Sequence, residues 1–140
     1  MGGNRPIIVD TGAIVAVVHD RDQWHASAAK LFSDLPKPFL TCESVISESC
    51  HLLGGLPRGC DQVMGLLASG LLRLSFTLCD ELERVSELMK KYSNLPMSVA
   101  DGCLVRMSEI NNNSVVFTFD SDFQIYRRHG RERISTVPEV

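Results

Sequence analysis

No stretch of this chain supplies the roughly 18 consecutive apolar residues that a membrane-spanning helix needs. The longest such run, AIVAVV at residues 13 to 18, has six. A secretory leader is not expected, because Asp10 interrupts what would be its apolar centre. MGGNRP also lacks the Ser or Thr that favours myristoylation after the glycine. Cys42, Cys50, Cys60, Cys79 and Cys103 are odd in number and show no CxxC spacing, which argues against a disulfide framework and a paired-cysteine metal site. Dispersed thiols of this kind suit a reducing cytoplasm, where cysteine behaves as a small apolar residue. Cys50 stands beside His51, but no second pair supports a metal there. A strong charge of either sign is missing too: the net charge is −3, so composition alone does not point to nucleic acid. Repeats and low-complexity linkers are absent.

What remains is the composition of a soluble globular protein, 44% hydrophobic and 22% charged over 140 residues. That length suits one domain, residues 1–140, with a sizeable core. PIIV at 6 to 9 is an unbroken apolar run that ends at Asp10, as expected of a strand covered on both faces. AIVAVV and WHASAAKLF read as helical, and Pro36 and Pro38 close that section. PFLTC is a second strand, Glu43 to Leu53 a helix stopped by Gly54 and Gly55, and Cys60 to Ser69 a helix stopped by Gly70. LLRLSF at 71 to 76 is a third strand. Glu81 to Tyr92 is a helix with Leu82, Val85, Leu88 and Met89 on one face. Ser98 to Ile110 is another, with Val99, Cys103, Met107 and Ile110 aligned. VVFTF is a fourth strand, and RISTV a fifth. Strands and helices alternate, which predicts a three-layer α/β/α domain with a mostly parallel sheet of about five strands.

In an open parallel sheet, ligands bind beyond the carboxyl ends of the strands. Asp10 follows the first strand and Asp120 the fourth, so both carboxylates emerge at that edge. Glu48 follows the second strand by about two helical turns, flanking the apolar stripe of Val45, Ser49 and Leu52. Asp101 lies in the first turn of its helix. Each acid also has a structural explanation. SVAD at 98 to 101 fits the capping-box pattern. Asp122 suits the N-cap of a helix starting at Phe123, Asp10 a cap after Gly12, and Glu48 a solvated rim. Capping does not account for all of them at one edge. Converging carboxylates repel and are tolerated with cations present. An all-oxygen set suits Mg²⁺ or Mn²⁺, ions that support phosphodiester hydrolysis in pairs.

The segments IIVDTGAIVAVV, LTCESVISESCHLL, ASGLLRL, LPMSVADGCLV and VFTFDSDF, in this order and spacing, resemble the PIN domain, and more narrowly the VapC-type toxin ribonucleases. The resemblance implies an α/β/α fold and Mg²⁺- or Mn²⁺-dependent cleavage of RNA. It implies Asp10, Glu48, Asp101 and Asp120 as the catalytic, metal-binding acids, Asp122 as a further metal-binding acid of less uniform role, and Thr11 and Thr118 as supporting hydroxyls. It also implies a cytoplasmic homodimer held inactive by an antitoxin protein. Gly102 departs from the Ala often found there, at a helix cost of roughly 1 kcal/mol. Without those four acids the net charge of −3 becomes +1.

YRRHGRER at 126 to 133 places Arg127 and Arg128 where an RNA backbone contact is one reading, and a solvated basic turn paired with Glu132 is the other. His19, His25 and His51 receive no catalytic role, and Trp24-His25 reads as packing at a helix start. A catalytically silent PIN domain is disfavoured because all four positions are acidic. A receiver or haloacid-dehalogenase domain is disfavoured because LLRLSF ends without an acid and no second acid lies two residues after Asp10. A housekeeping RNA-processing nuclease remains an alternative to a toxin.

Overall fold

The computed structural model describes residues 5–139; the MGGNRP motif lies largely outside them. Strands β1 (Ile7–Val9), β2 (Phe39–Thr41), β3 (Leu72–Leu74), β4 (Val115–Phe117) and β7 (Thr136–Val137) form a sheet in the order β3-β2-β1-β4-β7. All four pairings are parallel. Ile7, Ile8 and Val9 are buried, as are Val115, Val116 and Phe117, so the central strands are apolar on both faces. The helices are α1 (Thr11–Val18), α2 (His25–Asp34), α3 (Glu43–Leu52), α4 (Gly59–Ala68), α5 (Leu82–Lys91) and α6 (Val99–Ile110). α1 packs on α2, α3 and α4, α5 packs on α6, and α3 meets α6. Among the described residues no helix is long and apolar enough to cross a membrane.

The expected fold class and element order hold, with local differences. The strands are shorter than LLRLSF and VVFTF suggest, because the ladder is a few residues deep and the flanking chain turns into the helices. Gly12 lies inside α1, whose cap is Asp10 itself. The expected Glu81–Tyr92 helix is α5, entered through a 3-10 turn at Leu78–Glu81, and Leu82 in its first turn is exposed. Val99 and Ile110, the first and last residues of α6, are exposed as well, although buried residues run from Ala100 to Glu109 between them. Only Cys42 and Cys103 are buried thiols; Cys60 and Cys79 are exposed. The basic segment forms an antiparallel hairpin of β5 (Arg127–Arg128) and β6 (Glu132–Arg133), with His129 and Gly130 at positive φ making its tight turn.

Gly102 has a packing reason. A Cβ there would meet Val85 Cγ1 at 3.2 Å and Met89 Cγ at 3.4 Å, so its bare backbone lets α5 close on α6. The C-terminal half of α6 is tied down by charge. Glu109, with a side chain 1% exposed, takes both Arg84 nitrogens at 2.9 and 2.6 Å, Arg106 at 3.2 Å and the His129 amide at 2.7 Å. Burial pushes this carboxyl up, but the Arg84 guanidinium and its other donors outweigh that and hold it down at about 2.

Candidate active site

The chain leaves β1 for β2 on one side and later returns to place β4 on the other side of β1. A crevice opens at such a reversal, beyond the carboxyl ends of the two strands. The register sets what faces it. Val9 pairs with Phe117, and the Asp10 amide donates to the Phe117 carbonyl at 3.2 Å, so Asp10 comes level with Thr118. The Thr118 hydroxyl donates to Asp10 Oδ2 and accepts from the Asp120 amide at 2.9 Å. One threonine thus joins the two acids contributed by β1 and β4.

Asp10 is 5% exposed. Its Oδ1 accepts from the Ala13 amide at 3.0 Å and caps α1. Burial pushes its carboxyl up to about 7, the hydrogen bonds of Thr118 and Ala13 oppose this, and the charges of Asp120 and Asp101 add to it. Glu48 stands on the rim, where the Thr11 hydroxyl donates to its Oε1 at 2.6 Å. Ser98 caps α6 by accepting from the Asp101 amide at 3.0 Å, so the SVAD motif does form a cap. The Asp101 carboxylate meanwhile accepts from the buried Tyr126 hydroxyl at 3.0 Å. Burial raises the Asp101 carboxyl, the Tyr126 hydrogen bond lowers it, and Asp120 and Glu48 raise it further. Tyr126 is itself pushed up, by burial first and then by Asp101.

Asp10, Thr11, Gly12, Glu48, Leu52, Ser98, Asp101 and Asp120 line one cleft of about 290 Å³. All four expected acids and Thr11 are therefore brought together, and Thr118 supports Asp10 from beneath. Asp122 is not in the lining. It sits in the one-turn 3-10 helix Ser121–Gln124, whose N-cap is Asp120, with the Asp122 amide donating to Asp120 Oδ1 at 2.9 Å. Asp122 is therefore not the cap expected of it, because the helical turn begins two residues earlier. Its carboxyl is raised by burial and then by Asp120. Leu52, expected on the buried stripe of α3, is 57% exposed and forms part of the cleft wall. Tyr126 was missed from the sequence: nothing local signals its bond to an acid on another element.

Arg127 and Arg128 are not brought to the cleft. Arg127 Nη1 donates to the carbonyls of Gln124, Ile125 and Tyr126. Arg128 donates to the Ser108 carbonyl at 2.8 and 3.2 Å and pairs with Glu132 at 3.0 Å, its side chain 17% exposed. Ser108 lies toward the far end of α6 from Asp101, roughly 10 Å along a helix that rises about 1.5 Å per residue. His25 is a packing residue, its Nδ1 2.7 Å from the Ala16 carbonyl.

Among the described residues, no group of three or more His, Cys, Asp and Glu side chains is disposed to hold a metal ion as it stands. The donor chemistry nevertheless fits one. Four carboxylates line the cleft with no Lys, Arg or His among its lining residues, and the buried one is held near neutrality by desolvation and repulsion. A hard divalent cation would answer that charge, and Asp10, Glu48, Asp101 and Asp120 are the residues that would hold it.

The model of the PIN domain matches residues 7–128. The chain belongs to the PIN domain family. Among solved structures, this PIN domain is similar to VapC20 of Mycobacterium tuberculosis, a toxin that cleaves the sarcin-ricin loop. The two are 22% identical with a TM-score of 0.77, over 85% of this chain and 93% of that one. This likeness concerns the fold. No curated protein matches the chain.

Proposed function

We propose that this PIN domain is a metal-dependent endoribonuclease and the toxin of a toxin–antitoxin pair. The observation that carries the reading is the single cleft lined by Asp10, Glu48, Asp101 and Asp120 with no basic side chain in its lining, in a family whose nucleases generally use divalent ions. Mg²⁺ or Mn²⁺ in the cleft would polarise the phosphate and acidify the attacking water. The chain's own residues do the positioning. Thr118 fixes the Asp10 carboxylate from below and the Asp120 backbone from the side. Thr11 holds Glu48 over the cleft, and Tyr126 orients Asp101. No histidine lines the cleft, so no imidazole stands there as a base and the acids would hold whatever ion activates the water.

The likeness to VapC20 supports the toxin role and makes a structured ribosomal RNA loop the first substrate to try. An antitoxin covering the cleft, a homodimer and a cytoplasmic location complete the proposal, the last suiting five free thiols. The deciding experiment incubates total RNA with the protein and with Asp10→Asn, in Mg²⁺ and in chelator. Cleavage by the natural chain in Mg²⁺ alone is expected. Cleavage that persists in chelator, or in the variant, removes the reading.

A further inference from the structure

Trp24 stands just ahead of α2 and is the one tryptophan in the chain. Its indole lies face to face with the Phe119 ring, centroids 5.2 Å apart and planes within 6° of parallel. One face is stacked in this way, yet the residue is 46% exposed. Both ends of the pair are anchored in the fold. The Trp24 amide donates to Asp22 Oδ1 at 2.8 Å, His25 next to it is tied to Ala16, and Phe119 packs edge-on against the buried Phe117. Phe119 also occupies a particular place: it lies between Thr118 and Asp120. In that extended segment Thr118 and Asp120 belong to the acidic cleft, while Phe119 turns to the α2 side.

A ring left half in water gives up apolar burial that a purely structural tryptophan would gain. A flat π surface backed by the residue that precedes a cleft acid suits a different task, because every nucleobase offers a face to stack on. We infer that Trp24, backed by Phe119, is a stacking ledge for an unpaired base of the RNA substrate flanking the phosphate held at the cleft. This rests on the proposed ribonuclease reading. The ledge selects unpaired over paired RNA and is tolerant of base identity, since stacking reads the ring and not its hydrogen-bonding edge.

The single tryptophan makes the test direct. The protein is mixed rapidly in Mg²⁺ with a short unpaired oligoribonucleotide, or with the same sugar–phosphate backbone carrying no bases, and Trp24 emission is followed before turnover. Quenching by the base-bearing strand alone is expected. Affinities of labelled RNA are then compared for the natural chain, Trp24→Phe and Trp24→Leu. Leucine still covers Phe119 but offers no ring, so it should keep the melting temperature and weaken RNA binding by roughly 5- to 150-fold, the range for one lost base stack. Phenylalanine should retain most of the affinity, and all three should bind the base-free backbone alike. If RNA is cleaved while Trp24 emission stays unchanged and Trp24→Leu binds as tightly as the natural chain, the ledge is refuted and the nuclease stands. If the leucine variant does not fold, the emission measurement on the natural chain decides. A natural chain that neither binds nor cleaves RNA refutes the nuclease reading and the ledge with it.

Discussion

Asp10 caps α1 through one oxygen and accepts from Thr118 through the other, while burial pushes its carboxyl from 3.8 up to about 7. Between those values the folded chain binds more protons at this site than the unfolded chain does. Stability of the metal-free protein must therefore fall as pH rises through that window and level off above it. Asp10→Asn keeps an oxygen for the Ala13 amide and removes the charge. Without metal, the variant is expected to melt higher than the natural chain at pH 8, and the advantage should vanish near pH 4. The difference at high pH should approach roughly 4 kcal/mol, because each tenfold change in proton affinity is worth about 1.36 kcal/mol. Melting curves that run parallel from pH 4 to 8 would remove Asp10 as the strained carboxylate.

At the scale of elements, α6 has two ends with separate tasks. Its N-terminus presents Asp101 to the cleft under the Ser98 cap. Its C-terminal half is fastened by Glu109 to Arg84 and Arg106, and by the Ser108 carbonyl to Arg128. The β5–β6 hairpin is therefore a clamp on the helix, and the guanidinium of Arg128 is spent inside the fold. Arg128→Ala should destabilise the protein by about 1–3 kcal/mol, the usual range for buried acceptors left unpaired. RNA affinity should keep the same dependence on salt. A slope that flattens by about one counterion would instead return Arg128 to the RNA backbone.

For the whole molecule the decisive quantity is charge placement. The net charge is −3, and four of the acids share one cleft, so an ion that binds only the folded chain should stabilise it. Mg²⁺ at a hundred times its dissociation constant is worth roughly 2.7 kcal/mol. Asp101→Asn relieves repulsion, so without metal it should melt at or above the natural chain, and it should lose most of the Mg²⁺ gain. Equal Mg²⁺ shifts in the two proteins would leave Asp101 as a helix-start residue and Tyr126 partner only. Four melting curves separate these outcomes.

The order of strands and helices was legible in the sequence, because the apolar runs, the glycine and proline stops and the SVAD cap are local signals. So was the gathering of Asp10 and Asp120, since an acid after a parallel strand has one edge to go to. Contacts between distant segments were not legible. Periodicity reports that a side chain faces a core but not which element covers it, and that depends on strand order and register. Only the parallel register of β1 on β4 sets Thr118 against Asp10. Only the packing of α6 against β5, which follows directly on Tyr126, brings that hydroxyl to Asp101. The same holds for Arg128, whose run of basic neighbours suggests solvent and RNA, and whose guanidinium instead meets a helix carbonyl. Trp24 and Phe119 are separated by most of the chain, and they stack because the start of α2 lies against the segment that carries β4 into the acids.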